Sequence, residues 1–323
     1  MRAFVFYRTF VPVLSKDTPV TVGFERVSPS LLSRIRGFKH VWMHSGNWWN
    51  IPASRRTPDR LLDSLRKLAK VAKVEGFMSI NVPPLRVRKH YDIWNYPQEI
   101  RYAALQRSFE LALEIRDKLD LEVPLYCCYE VGRFDDAYLW YGKAAEAGFD
   151  RFGAGFAAFL MGRPLPQAYE RIVEVIIAAR AACGYKVPFH ASGVGSLRLL
   201  ALVYYAGATS ADGSTPIRAA LALRTIYDLS GKGYRVDRLR EWHCSCSFCK
   251  NYSPKELASL MRNNYKARVL HNSEIWNSFI SRMIKAYEEG RFEEFLHKVL
   301  AGSKAHMRAY LHAKSLLKKY HLG

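Results

Sequence analysis

Three cysteines fall within six residues, as Cys244-x-Cys246-x-x-Cys249, and His271 follows them. Three thiolates and one imidazole make a closed tetrahedral donor set of the kind that holds structural zinc. Four protein ligands leave no open coordination position, so this Zn2+ is expected to brace the chain and not to act on a substrate. Between the cysteines and the histidine, Ser253-Pro254-Lys255-Glu256 reads as a capping box with proline in the first turn. It predicts a helix that spaces the cysteine loop from His271. His243 is a rival fourth ligand, but it adjoins Cys244 and would strain the loop. Cys127, Cys128 and Cys183 lie in apolar surroundings and read as small buried hydrophobes, which excludes the disulfide framework of a small secreted domain.

A second set of residues is marked out by position. Short apolar runs recur at Val41–Met43, Phe77–Ile80, Val123–Cys128, Arg151–Gly155, Val187–Ala191 and Ala208–Ala211. Each is followed by small or polar residues and then by a helix-period stretch. Thr57-Pro58-Asp59 caps the first such helix, whose Leu61, Leu62, Leu65, Leu68 and Ala69 share one face. Others span about 97–118, 135–147, 167–182, 196–205 and 216–229. Strands alternating with helices imply parallel βαβ units. Six units after an irregular N-terminus suit a (β/α)8 barrel, with an open doubly wound sheet as the alternative. In such a barrel chemistry sits where strands end, so His44, Asn81, Glu130, Gly153 to Gly155, His190 and Asp212 are the residues to read. On position alone Asp212, before Gly213-Ser214, is a turn or N-cap aspartate, and His190 is a satisfied core histidine. Trp48 and Trp49 either stack on a base or pack the rim.

The chain has 323 residues, 49 Lys+Arg against 29 Asp+Glu, and a formal charge of +20. Such an excess repels itself unless a polyanion relieves it, and nucleic acid is the usual one. Basic residues gather at Arg55-Arg56, from Arg86 to His90 and from Lys304 to His321. No apolar run approaches the roughly 20 residues needed to span a bilayer, and no signal-peptide pattern opens the chain. The expected compartment is the cytoplasm, with no membrane partner.

The cysteine pattern, together with Leu270-His271-Asn272, resembles the zinc segment of the tRNA-guanine transglycosylase family. Ile284 to Phe292 is similar to that family's terminal helix and its end. Ala147-Gly148-Phe149-Asp150-Arg151-Phe152-Gly153-Ala154-Gly155-Phe156 resembles the strand ending in a Gly-Gly turn under the substrate base. His190-Ala191-Ser192-Gly193-Val194-Gly195 looks like a later Gly-x-Gly strand end. Gly207 to Arg218 is similar to the nucleophile segment, which ends Asp-x-x-x-Pro-Thr-Arg in the family. The likeness runs from about His40 to Phe295. It implies a single TIM-type barrel over 1–323, a zinc-binding subdomain at 240–275, and a closing helix plus basic tail at 276–323. It implies further that Asp212 is the nucleophile: its carboxylate attacks C1′ of a guanosine in a nucleic acid, guanine leaves, and a 7-deazaguanine of the preQ0/preQ1 kind takes its place. The polymer is tRNA or DNA, since the chain ends soon after the terminal helix, as in compact bacterial members or DNA-guanine transglycosylases. A homodimer is compatible with the resemblance.

The chain departs from the family at the active site. The family's Asp-Ser-Gly-Gly-Phe reads His44-Ser45-Gly46-Asn47-Trp48 here, so the aspartate given the general-base role is His44, an imidazole that can also move protons near neutral pH. Asn81 stands where an aspartate reads the guanine edge. Glu130 stands for a glutamine, with Tyr129 as the alternative alignment. The base pocket implied by the resemblance is then Ser45, Gly46, Asn81, Glu130, Gly153, Ala154 and Gly155, with donors and acceptors redistributed, so that it reads another base or the usual base in another pose. A different class of function is a relative without catalysis that binds nucleic acid or pairs with an active subunit.

Overall fold

The computed structural model describes residues 4–45, 56–84, 95–160, 166–184 and 186–322. Its strands are β1 (Val5–Thr9), β2 (Val20–Gly23), β3 (Val41–His44), β4 (Val74–Met78), β5 (Leu125–Tyr129), β6 (Phe152–Gly155), β7 (Phe189–Ser192) and β8 (Ser210–Gly213). They close in chain order into a barrel of parallel neighbours, with β1 pairing β8 so that Tyr7 lies opposite Asp212. The ring is flanked by α1 (Pro29–Ile35), α2 (Pro58–Ala69), α3 (Gln98–Lys118), α4 (Phe134–Glu146), the four-residue α5 (Ala157–Leu160), α6 (Pro166–Cys183), α7 (Leu197–Ala206) and α8 (Thr215–Leu221). This is the TIM-type α/β architecture, and the open-sheet alternative is excluded by the β1–β8 pairing.

Helix formation follows from local sequence. At α2, the Thr57 hydroxyl accepts from the Arg60 N–H, Pro58 occupies the first turn, and Leu61, Leu62, Leu65 and Leu68 turn inward at helical spacing. Each strand divides its residues by alternation. Phe152, Ala154, Phe189, Ala191 and Ala211 face the helices in the main core. Tyr7, Trp42, Met78, Tyr126 and Cys128 fill the barrel and floor its mouth. Gly153 faces this interior, where an added Cβ would meet the Cys128 sulfur at 2.7 Å, so no larger residue fits.

Two expectations are corrected. The N-terminus is not irregular, since it supplies β1 and β2; the guanidinium of Arg8, which breaks the apolar signal of β1, is buried and donates to Asn277 Oδ1 at 2.6 Å. The helix expected over 216–229 stops at Leu221. Arg224 takes φ +47°, a left-handed conformation that no helix continues through, and the chain then forms a hairpin of β9 (Thr225–Tyr227) and β10 (Gly233–Arg235).

After the hairpin come α9 (Pro254–Asn263), α10 (Tyr265–Glu288), α11 (Phe292–Leu300) and α12 (Lys304–Lys319). The basic C-terminal stretch is therefore helical. Tyr310 and Ala313 of α12 are buried in the main core, while Arg308 pairs with Glu170 and His312 with Glu174 on α6. No helix among the described residues is long and apolar enough to cross a membrane.

Candidate active site and metal centre

Asp212 ends the inward-facing column of β8 and is 4% exposed. Its Oδ1 accepts from the Gly193 N–H at 2.7 Å and from the Ser192 hydroxyl at 3.1 Å. Its Oδ2 has longer contacts, to the Thr21 hydroxyl at 3.4 Å and to His190 Nε2 at 3.5 Å. Thr21 lies on β2, two strands away, so these contacts can meet only inside the ring. Burial alone would raise the carboxyl pKa, but His190, the charge of His44 and the Gly193 N–H outweigh it and hold Asp212 below its ordinary value. One oxygen is thus fixed by backbone and hydroxyl, and the other is the less engaged.

The Gly193 N–H is aimed by a turn that only glycine tolerates: φ is +80°, and a Cβ would sit 2.8 Å from the Ala157 nitrogen. His190 lies beneath Asp212, fully buried, its ring stacked on Trp42 at 3.9 Å. Its Nδ1 is 2.8 Å from the Ser210 hydroxyl. A carboxylate only accepts, so Nε2 carries the proton facing Asp212 and Nδ1 accepts from Ser210. Burial depresses the His190 pKa against the pull of Asp212, which keeps the imidazole neutral. The reading of His190 as a core histidine missed this contact. Its only signal was the shared inward register of His190, Ser192, Ser210 and Asp212 on two adjacent strands.

Across the mouth, Asn81 Nδ2 donates to Glu130 Oε2 at 2.8 Å and Ser45 Oγ donates to Asn81 Oδ1 at 3.0 Å. All three side chains are buried, and Arg56 donates to the Asn81 carbonyl at 2.6 Å. Gly155 faces this pair: a Cβ there would lie 3.1 Å from Asn81 Nδ2 and 3.4 Å from Glu130 Oε2. Ala154, expected beside the base, turns its methyl into the core between strands and helices, so only its backbone can border the mouth. Tyr129 likewise points outward, against Trp140 and Tyr141, which leaves Glu130 as the residue of that pair at the mouth. His44 closes β3, half-buried. Gly46, Asn47, Trp48, Trp49, Arg55 and the cluster from Arg86 to His90 lie outside the described residues.

The donor atoms of Cys244, Cys246, Cys249 and His271 lie within 4.8 Å of one another. His271 Nδ1 is 3.2 Å from the Cys249 sulfur and 3.6 Å from that of Cys246, while its Nε2 is 2.8 Å from the Tyr227 carbonyl. The carbonyl fixes the proton on Nε2 and turns the Nδ1 lone pair toward the sulfurs, the outer-shell arrangement of a metal-binding histidine. The two histidine–sulfur edges, 3.2 and 3.6 Å, suit a tetrahedral ion with bonds of about 2.0 to 2.3 Å, and three thiols with one imidazole are a zinc donor set, so the residues fit zinc. His243 is 75% exposed beside Glu241, away from the cluster. The capping box at Ser253 forms as expected and starts α9. Ile226, Val236, Trp242, Leu257 and Met261 pack with the cysteines into a small core of their own.

The profile of the queuine tRNA-ribosyltransferase family matches residues 135–305, more than half of the chain. A tRNA-guanine(15) transglycosylase of Saccharolobus solfataricus is 24% identical over 222 residues, which cover 67% of this chain and 42% of that protein. Proteins of the same name from Pyrococcus furiosus and Pyrococcus abyssi are 29% and 30% identical over 161 and 162 residues, covering 49% of this chain and 27% and 26% of theirs. The chain thus spans less than half the length of these curated relatives.

Proposed function

The chain belongs to the queuine tRNA-ribosyltransferase family, and from that premise we propose that it exchanges a guanine of tRNA for a 7-deazaguanine through a covalent bond between Asp212 and C1′ of the ribose. The observation that carries this reading is the Asp212 carboxylate itself: buried in the barrel mouth, held ionised, with Oδ1 tied to Gly193 and Ser192 and Oδ2 loosely held. Oδ2 is the attacking oxygen on this reading. It bonds C1′ as the C1′–N9 bond breaks, the path of a retaining glycosyl transfer. His44 gives guanine N9 its proton. It then takes the proton from N9 of the incoming base as that nitrogen displaces Asp212. His190 stays neutral and orients Oδ2. The cysteine–histidine site, when zinc is bound, supplies a crosslink that stabilises the segment around it.

Asn81 and Glu130 would read the base as a unit. An amide and a carboxylate remain side by side, with the carboxylate after β5 and not after β4, so we favour a guanine-type base bound in a shifted pose over a different base. The zinc-binding subdomain at 240–275, with a closing segment at 276–323, belongs to the same reading and is supported by the separate small core around the cysteines. tRNA is favoured as polymer because the relatives carry it in their names. The test is incorporation of labelled guanine into tRNA and into DNA by the parent and by Asp212→Ala. Incorporation into tRNA that vanishes in the variant supports the proposal. Incorporation into DNA alone changes the polymer, and salt-sensitive binding without exchange in the parent replaces the enzyme with a nucleic-acid-binding subunit.

A further inference from the structure

The loop that aims the Gly193 N–H at Asp212 is itself held from outside the barrel. A Cβ on Gly213 would come within 2.6 Å of the Gly195 Cα, and one on Gly195 within 2.2 Å of the Thr215 hydroxyl, so the loop after β7 rests backbone-on-backbone on the turn after β8. Into this contact α10 sends one side chain: the Trp276 indole N–H donates to the Gly195 carbonyl at 3.0 Å, and Trp276 is 1% exposed. The same helix grips its neighbours on either side. Asn272 donates to the carbonyls of Pro216 and Thr225 and accepts from the Tyr227 N–H, and Asn277 accepts from Arg8 on β1. One helix therefore ties together the loop after β7, the first turn of α8 behind β8, and Arg8 near the end of β1.

We propose that Trp276 is a positioning residue for the Asp212 carboxylate: its N–H anchors Gly195 and so fixes the Gly193–Gly195 loop that holds Oδ1. The proposal rests on the transglycosylase reading for its kinetic consequence, not for its geometry. Without the N–H, the Gly195 carbonyl is left buried and unpaired, and the loop shifts to find another donor. The Gly193 bond to Oδ1 then lengthens. The titratable groups that also set the Asp212 titration are His190 on β7 and His44 on β3, while Cys128 on β5 feels the charge of Asp212 in turn.

The experiment compares the parent with Trp276→Phe, and with Trp276 replaced by 3-benzothienylalanine, which keeps the bicyclic shape and removes the N–H alone. Zinc content and melting temperature are recorded beside guanine-exchange kinetics and the titration of carboxyl-13C aspartate, with Asp212 assigned by its loss in Asp212→Asn. The expected result is a fall in kcat of about tenfold or more, from misplacement of the reacting group, with KM for the base within about twofold. The Asp212 titration and the acid limb of the pH profile move upward by about half a pH unit, and zinc stays bound. Loss of activity only in proportion to loss of folded protein, with the Asp212 titration unmoved in both variants, overturns the proposal. A parent without exchange activity refutes the transglycosylase reading instead, and the Asp212 titration alone then decides whether Trp276 positions the carboxylate.

Discussion

Asn81→Asp converts the amide–carboxylate pair at the mouth into two carboxyls. Asn81 Nδ2 lies 2.8 Å from Glu130 Oε2, and the two residues are 5% and 4% exposed. Two full charges that close repel by about 6 kcal/mol at an effective dielectric of about 20. One carboxyl avoids this by keeping its proton, and raising a carboxyl pKa from about 4 to about 7 corresponds to about 4 kcal/mol. Arg56, which donates to the Asn81 carbonyl and feels the charge of Glu130, offsets part of this, leaving about 3 kcal/mol near pH 8. The sign follows from linkage. The paired carboxyl has a folded-state pKa above its unfolded value, so the variant matches the parent below about pH 4 and loses stability as pH rises through the folded pKa. At about 2 °C per kcal/mol for a chain of this size, the melting temperature falls by about 6 °C at pH 8. Thermal melts at acid, mid and alkaline pH on the parent, Asn81→Asp, Glu130→Gln and the double variant measure this. The double variant returns one amide and one carboxylate with sides exchanged, and Ser45 can still donate to the residue at 81. It therefore regains most of the loss, with a coupling of about 2 to 3 kcal/mol. An Asn81→Asp protein as stable as the parent at pH 8, or a double variant no better than Asn81→Asp, refutes the pairing.

Two further outcomes are expected. Chelation of zinc, or Cys246→Ala, opens the stretch from Trp242 to Ile275, because a small core must give up a crosslink with an apparent binding energy on the order of 10 kcal/mol; metal analysis finds zinc in the purified parent and limited proteolysis cuts the variant inside this stretch, whereas zinc-free parent and an equally stable variant reject the site. Burial holds the His190 pKa below its ordinary value, so its contribution to stability is complete above about pH 6.5 and is lost as pH falls through the folded pKa; His190→Phe, which keeps a ring over Trp42, has a flatter melting profile below that pH, and a profile as steep as the parent's contradicts a neutral buried imidazole.

The barrel is legible from Val41 onward because each later strand is an apolar run with a helix-period stretch behind it. β1 and β2 are hidden for a local reason. Arg8 interrupts β1 with a charge whose partner, Asn277, lies on a helix 269 residues away, and no pattern within the strand announces that partner. The metal ligands are legible because close spacing of three thiolates already constrains their geometry, and a histidine on the helix that follows the capped spacer α9 completes it. Contacts made through strand register are not. His190 and Asp212 meet because β7 and β8 are in phase, and Asn81 meets Glu130 three residues past the end of β4 and one past β5. Sequence marks both as strand-end residues, but which neighbour each one touches is decided by the ring.

The departures from the family pattern differ in electrostatic kind, and on our reading this separates base choice from proton transfer. An aspartate with a glutamine, and an asparagine with a glutamate, each carry one carboxylate and one amide. The formal charge of the base-reading pair is unchanged, and only the strand that bears it differs. On the same reading, His44 in place of an aspartate is not balanced in this way: it removes an anion beside Asp212 and adds a group whose charge lowers the Asp212 pKa. A carboxylate with a lower pKa is ionised over a wider range but is a weaker base, which suits a nucleophile more than a proton acceptor. On the proposed mechanism the proton then moves through a different residue from the one that attacks, and we assign that role to His44, at the tip of β3 with its charge felt by both Asp212 and His190. The Asn81→Asp/Glu130→Gln double variant, which keeps one carboxylate and one amide, should therefore alter which base is accepted while leaving the shape of the pH–rate profile alone, whereas a change at His44 should do the reverse.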